Sequence, residues 1–544
     1  MNFRLSQRVG RKSYLVRPDG SILEVGDRIR CDVNFGTVKY IGIVPPTKGV
    51  WLGIEWDDPT RGKHDGSHEG VRYFQTSHPN SGSFLRPKKA CLGIDCFQAI
   101  QSRYGIQKHG SAGVNTETLY VLDADNRQTV VEMVGAEKVN LMQSQLNRLQ
   151  EVSIRDMDVY GTQSDCELSQ NTPSIQTLDV SRNLIASWPM VAKICQQLPN
   201  LQSLFLSENK LHAPTYSTDV LKAFKAVRNL YLNKMSSSWH EVLQCCSLFP
   251  ILETLYVSAN AMQMLEEPQC CLQQLTTLSL ENNNISSWDE VMKLGKLQQL
   301  ETLVITDNPI ERIYFPDVPY RKKSQLFPKL KHLYITLNKI SDWASINELN
   351  KLQNLEDLGF GSLPHLGAAE TVREIVIAKI GNLTRFNRTD VNEQERKGAE
   401  IDYLKKFGPD WLKAGGNQDS SKDNPDIEFQ AQHPRFCHLV SKWGAPENSE
   451  MVQQSLSLKD NLITIKIFSP QDPEKGVMEK KLPSTMSVQK LKTLIQRIFR
   501  LDKDFTLSYI SHKMQGPEIE FDNELRQISF YSVENGDTIQ VKWR

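Results

Sequence analysis

"LQSLFLSENKL", residues 201–211, decides how most of this chain folds. Apolar residues stand at its first, fourth, sixth and eleventh positions, and Asn209 stands at the ninth. The same arrangement returns in "IQTLDVSRNLI" (175–185), "LETLYVSANAM" (252–262), "LTTLSLENNNI" (275–285), "LETLVITDNPI" (300–310) and "LKHLYITLNKI" (330–340). A weaker copy, "VRNLYLNKMSS" (227–237), has Met235 in the asparagine slot, and a fading copy begins at Leu355. The asparagines Asn183, Asn209, Asn260, Asn283, Asn308 and Asn338 lie 23 to 30 residues apart, or about twice that across the weak copy.

The pattern has a physical reading. The L-x-L leucines point inward from a short strand, and the asparagine side chain satisfies backbone groups where the chain turns away. One such unit cannot bury its apolar face alone, so neighbours stack into a curved solenoid. This resembles the leucine-rich repeat family and implies an α/β solenoid over 151–412. The segment "NLTRFNRTDVNEQERKGAEIDYLKKFGPDW" forms its helical C-terminal cap. The middle residue of each L-x-L faces outward on the concave sheet: Asp179, Phe205, Tyr231, Tyr256, Ser279, Val304 and Tyr334. Strands stack about 4.8 Å apart, so Phe205, Tyr231 and Tyr256 form an aromatic ladder. Contiguous exposed apolar surface marks a partner site, and Tyr334 belongs to the same face.

Before the repeats, residues 20–100 are dense in glycines and short apolar runs. "DRIRCDV", "GTVKYIGIV" and "WLGIEW" read as strands of a small, strongly bent β-domain. The stretch "GKHDGSHEGVRYFQTSHPNSGSFLRP" (62–87) follows, with Gly36, Gly42, Trp51, Gly53 and Trp56 ahead of it. Together these resemble a CAP-Gly domain, whose usual loop is G-K-N-D-G and here reads Gly62-Lys63-His64-Asp65-Gly66. The resemblance implies binding of acidic, aromatic-ended C-terminal tails such as the Glu-Glu-Tyr end of α-tubulin. The implied site residues are Trp56, Gly62, Lys63, His64, Asp65, Gly66, Phe74, Phe84 and Arg86. Glycines allow close backbone approach, Lys63 offers a charge to carboxylates, and Trp56, Phe74 and Phe84 offer an apolar slot. His64 departs from the usual asparagine, which puts tail affinity and pH response in question.

Residues 101–150 read as a connecting segment and 413–460 as a polar linker, with "KAGGNQDSSKDNPD" at its start. Order resumes over 461–544. "NLITIKIFS" alternates as a strand, and "SVQKLKTLIQRIFRL" sets Val488, Leu491, Leu494, Ile495 and Ile498 on one helical face. "TLSYIS", "ISFYSV" and "DTIQVKWR" read as further strands. This order indicates a β-grasp fold and resembles a ubiquitin-like domain. The sequence stops at "VKWR" without Gly-Gly, so the expectation is a recognition module rather than a conjugated tag.

The whole is therefore expected to be a multidomain α+β protein. Its 544 residues carry no formal net charge, which argues against a general nucleic-acid binder. Residues 1–95 do hold 15 Lys and Arg against 10 Asp and Glu, a bias towards acidic partners. Ten cysteines without a C-x-x-C pair give neither a disulfide framework nor a metal site. His64, His68, Glu69 and His78 read as exposed loop residues, not ligands. No phosphate loop, nucleophile elbow or metalloprotease helix is present, so no catalytic residue, cofactor or metal is expected. With neither signal peptide nor long apolar run, a cytoplasmic, cytoskeleton-associated protein is expected.

The order of the three modules is similar to that of the tubulin-folding cofactor E family. That resemblance implies α-tubulin folding, and assembly or dissociation of the α/β-tubulin heterodimer, alongside cofactors C and D. Proteasome or ubiquitin-pathway proteins are further possible partners. A microtubule-associated CAP-Gly adaptor and a ubiquitin-pathway scaffold are the alternative readings; nucleic acid and membrane are not expected partners.

Overall fold

A computed structural model describes residues 15–105, 120–122, 128–130, 145–447, 451 and 462–543, less 215, 320–321, 362, 364–365, 420, 500, 502–504, 511–517, 522, 525 and 532. Most of the expected connecting segment 101–150 lies outside the described residues. The chain divides into two compact bodies, one running to Pro446 (405–409 excepted) and one formed by the C-terminal segment.

The first body begins with four antiparallel strands that pair in sequence order: β1 (Arg28–Cys31), β2 (Asn34–Ile43), β3 (Val50–Trp56) and β4 (Gly82–Leu85). Ile29, Val38, Leu52 and Ile54 are fully buried, joined by Leu15 and Leu23 from a short hairpin ahead of β1. A bulge interrupts the β2–β3 ladder: Val38 pairs with Ile54, but Tyr40 pairs with Gly53. An extra residue on one strand inverts its later side chains. Val38 thus faces the core and Tyr40 the opposite side.

The domain boundary expected at residue 100 lies earlier. Ile94–Asp95 pairs in parallel with Val159–Gly161, and helix α1 (Cys96–Tyr104) buries Cys96, Phe97, Ala99 and Ile100 in the solenoid core. An open solenoid end exposes apolar side chains, and an amphipathic helix closes it.

The repeats form one sheet from Glu151–Ser153 to Arg385–Phe386, all parallel, with Thr389–Asp390 added antiparallel at the end. Leu178, Leu204, Leu230, Leu255, Leu278, Leu303, Leu333 and Leu358 align across neighbouring strands and are buried. The asparagines act as inferred. Asn183 accepts from the N–H groups of Met157 and Val159 at 3.1 and 2.9 Å and donates to the Ile154 carbonyl at 2.9 Å, so it ties two repeats together. The weak copy is a true repeat, in register at Asn229–Tyr231. With Met235 in its slot, Asn209 N–H turns to its own Leu206 carbonyl at 3.3 Å.

Helices α2 (Ala369–Lys379) and α3 (Glu393–Lys413) form the expected cap. The expected linker at 413–460 is a correction. Helices α4 (Ile427–Gln432) and α5 (Phe436–Trp443) pack Phe429, Phe436 and Leu439 into the cap, beside a fully buried Trp411. Few buried residues sit among many polar ones there, so composition hid them.

In the second body, β5 (Leu462–Phe468), β6 (Met478–Pro483), β7 (Phe505–Ile510), β8 (Ile519–Glu520) and β9 (Thr538–Trp543) form a sheet in the order β6-β5-β9-β7-β8. Helix α6 (Val488–Phe499) buries Val488, Leu491 and Ile495 against it, with Leu494 and Ile498 half-buried. Ile528–Tyr531, expected as a strand, is a short 3-10 helix. The fold is ubiquitin-like.

Candidate functional site

The loop from Gly62 to Gly82 folds back on itself. Lys63 and His64 N–H groups donate to the Gly82 carbonyl at 2.7 and 3.2 Å, and Gly82 N–H returns to His64 at 2.8 Å. A Cβ at Gly62 would stand 2.1 Å from the Asn80 carbonyl oxygen. Gly66, at φ +97°, would set one 2.1 Å from that of Phe74. These glycines let two stretches of the same loop touch; close approach of a ligand backbone, expected from the sequence, is not their first role.

On this frame sits a cluster of rings. Phe84 is half-buried and has six aromatic neighbours between 5.0 and 6.5 Å: His64, Tyr73, Phe74, His68, Tyr40 and Trp51. Phe74 is buried beneath it, filling the space that Gly53 leaves open. Arg86 lies 3.7 Å over the Trp51 ring and donates to the Val50 carbonyl at 3.3 Å. Trp56 does not belong here. It is 3% exposed, packs in the domain core and is covered by Arg61. Trp56 and Trp51 lie five residues apart on one strand and so face opposite sides: Trp56 joins Leu52 and Ile54 in the core, and Trp51 shares the ring cluster's side with Gly53. Tyr40, Trp51, His68 and Tyr73 were missed as site residues; the bulge that turns Tyr40 around has no sequence signal.

The polar groups are similarly placed. Lys63 is exposed at the rim, without a side-chain hydrogen bond or ion pair among the described residues. Asp65 staples the loop, accepting from Ser67 N–H at 3.1 Å and pairing with Arg72 at 2.7 Å. His64 is half-buried, not an exposed loop residue, and its Nδ1 accepts from Gly66 N–H at 3.0 Å. An asparagine side chain makes the same short-range bond, so His64 substitutes for it geometrically. Burial pushes the His64 pKa below 6.5, partly countered by Asp65. Among the described residues no group of His, Cys, Asp and Glu could hold a metal ion.

A family model described as the CAP-Gly domain matches residues 25–90. Tubulin-specific chaperone E of Xenopus laevis is 42% identical over 521 residues, covering 95% of this chain and 98% of that relative. The chain belongs to the tubulin-specific chaperone E family. The human relative of the same name is 40% identical over 526 residues, again covering 95% and 98%. The solved C-terminal ubiquitin-like domain of mouse tubulin-specific chaperone E is 44% identical, covering 16% of this chain and 94% of that one, with a TM-score of 0.16.

In this tubulin-specific chaperone E family member the groove domain is fastened to the first repeats by side-chain contacts. Asp158 of the first repeat takes Arg30 Nε at 2.6 Å and the Cys91 thiol at 3.3 Å. Tyr160 donates to Asp19 at 2.5 Å under the Arg17 guanidinium, and Lys210 pairs with Asp57 at 3.2 Å. Phe35, at the start of β2, meets Arg182. Tyr40 is four ladder steps further on, about 13 Å at the strand rise, so the ring cluster stands clear of the Phe35–Arg182 contact.

The concave face holds the second candidate. Phe205 and Tyr231 stack with centroids 3.8 Å apart, and Tyr231 and Tyr256 at 4.8 Å. All three are half-buried. Tyr334 stands apart, two strands past the buried Ser279. Its hydroxyl donates to Asp357 at 2.7 Å, and Asp357 is also paired with Arg385. Burial works against the Asp357 carboxylate, but these bonds hold its pKa below 3.8.

Proposed function

We propose that this protein is a tubulin chaperone that holds α-tubulin at two places at once. The observation that carries the reading is the ring cluster around Phe84 with Lys63 exposed on its rim. A tail ending in glutamates and an aromatic residue complements it: the terminal ring lies on Phe84 and the carboxylates reach Lys63. The loop 62–66 and Arg86 hold the rings in place. The Phe205–Tyr231–Tyr256 ladder grips the folded body of the same subunit, with Tyr334 further along that face.

The groove domain is fastened to the solenoid by Asp158 and Tyr160, so a client bound at one surface meets the other at high effective concentration. A protein that binds one subunit better than the heterodimer draws the dimer apart by mass action, and needs no chemical step. Cofactors C and D work with it in assembly and dissociation. The ubiquitin-like domain docks a further partner, either a cofactor or the degradation machinery, in the cytoplasm.

The test is size-exclusion chromatography with light scattering on mixtures with α/β-tubulin. Wild type is run beside Lys63→Ala, and beside tubulin lacking its terminal tyrosine and glutamates. A one-to-one complex with α-tubulin, weakened by either change, supports the reading. Intact heterodimers with no complex, together with co-sedimentation on microtubules, would replace it with the lattice adaptor.

A further inference from the structure

Away from the groove and the concave ladder, the solenoid cap borders an open pocket of about 660 Å³. Lys323, Arg396, Arg435 and Lys442 line it, with His438 beside them, against one carboxylate, Glu400. Four permanent cations facing one anion leave a surplus of three positive charges. Glu400 is fully buried and already engaged, accepting from Arg435 at 3.0 Å, Lys442 at 2.7 Å and Trp443 Nε1 at 2.8 Å. Glu395, which also acts on Arg396, is bound by Arg373 at 2.6 Å.

Part of this charge has a structural purpose. Arg396 donates to the carbonyls of Ile377 and Ile380, and Arg435 to that of Ala378. These carbonyls lie at the C-terminal end of α2, the negative end of a helix. Lys323 and Lys442 do not donate to that helix end; Lys442 pairs with Glu400. Lys323 reaches in from the surface, and its half-buried ammonium donates to the Asn350 and Leu352 carbonyls at 2.5 and 3.0 Å, just past the helix Trp343–Leu349. Burial and the nearby Arg435 both weaken its hold on its proton, as they do for Arg396. Arg396, Arg435 and Lys442 share the single carboxylate of Glu400, and Lys323 adds a further positive charge to the pocket.

We propose that this cap pocket binds an acidic peptide segment of a protein partner, through clustered carboxylates. Its volume suits several side chains and far exceeds a single oxyanion. Apart from the His438 imidazole, no aromatic ring lines it. Asn350, Asn382 and Ser441 add neutral hydrogen-bonding groups. The CAP-Gly groove selects a terminal ring; the cap pocket selects charge alone.

The experiment measures fluorescence anisotropy of a labelled oligoglutamate peptide, amidated at its C-terminus, with the full-length protein. The proteins are wild type, Lys323→Gln/His438→Ala, Lys323→Arg and Lys63→Ala. Charged hydrogen bonds of this kind make the double variant bind about tenfold more weakly. Lys323→Arg, which keeps the charge, stays near wild type, and Lys63→Ala retains binding. An unchanged melting temperature for the double variant assigns its loss to the pocket. If that temperature falls, a single Lys323→Gln variant is added, and retained binding by Lys323→Arg against loss in Lys323→Gln decides instead. Binding that follows Lys63 and ignores Lys323 would overturn the proposal. So would displacement by inorganic phosphate beyond that of chloride at equal ionic strength, which would make the pocket a phosphate site.

Discussion

His64→Asn separates loop geometry from charge in the groove. Nδ1 of His64 must be unprotonated to accept from Gly66 N–H at 3.0 Å. Burial lowers the His64 pKa from 6.5 in the closed loop, while an opened loop returns it to the ordinary value. The sign follows: the closed loop is fully favoured above the ordinary histidine range and is lost as pH falls through the lowered value. The bond is worth about 1 kcal/mol net, which is about fivefold in affinity for a ligand that needs the closed loop. Protonation also places a positive charge beside the groove, which favours an acidic tail, but at a half-exposed site this gains less than about 1 kcal/mol. Tail affinity of the wild type should therefore fall severalfold on acidification from about pH 7.5 to about pH 5.5, a range above the titration of the peptide glutamates. His64→Asn keeps an acceptor that does not titrate and should show a flatter profile. The assay is anisotropy of a labelled peptide ending in Glu-Glu-Tyr. Identical slopes in the two proteins, or tighter wild-type binding in acid, would refute the reasoning; His68 and His78 remain in both and cancel.

Other perturbations are equally specific. Gly62→Ala forces a Cβ against the Asn80 carbonyl. It should cost about 1–3 kcal/mol and abolish tail binding; calorimetry with unchanged melting and full binding would contradict this. Tyr231→Ala removes two ring stacks and Tyr256→Ala removes one, so at about 0.5–1.5 kcal/mol per stack Tyr231 should lower the urea midpoint about twice as much. Equal midpoints would mean that the stacks contribute nothing. Leu337 is 75% exposed and sits at φ +58°; Leu337→Gly should relieve about 1 kcal/mol of left-handed strain, and a lower urea midpoint would oppose that. In the cap, burial opposes the Glu400 carboxylate but its donors hold the pKa at about 2, while burial lowers His433 to about 3. Both values are depressed, so their stabilisation is present above the ordinary carboxylate and histidine ranges and is lost in acid. Hydrogen exchange in α3 to α5 should rise on acidification before that of the central strands; simultaneous opening would argue against it.

The repeats were legible because each leucine and asparagine meets its partner one repeat away, at a spacing written in the chain. Lys63, Phe74 and Phe84 were legible for a similar reason, since the loop closes over about twenty residues. A spacing of that kind could not separate Trp56 from Trp51. That choice depends on which face of β3 packs in the domain core, and burial of Trp56 with Leu52 and Ile54 decides it. Nor could it place Tyr40, which a single bulged residue turns out of the core. The fastening of the groove domain to the first repeat pairs Arg30 with Asp158, 128 positions apart, and the cap pocket gathers charges from Lys323 to Lys442. Periodic burial is a local demand that the amino-acid sequence determines by itself. Which distant charges meet, and which aromatic ring stays uncovered, depends on how those local pieces pack, and only the tertiary structure decides it.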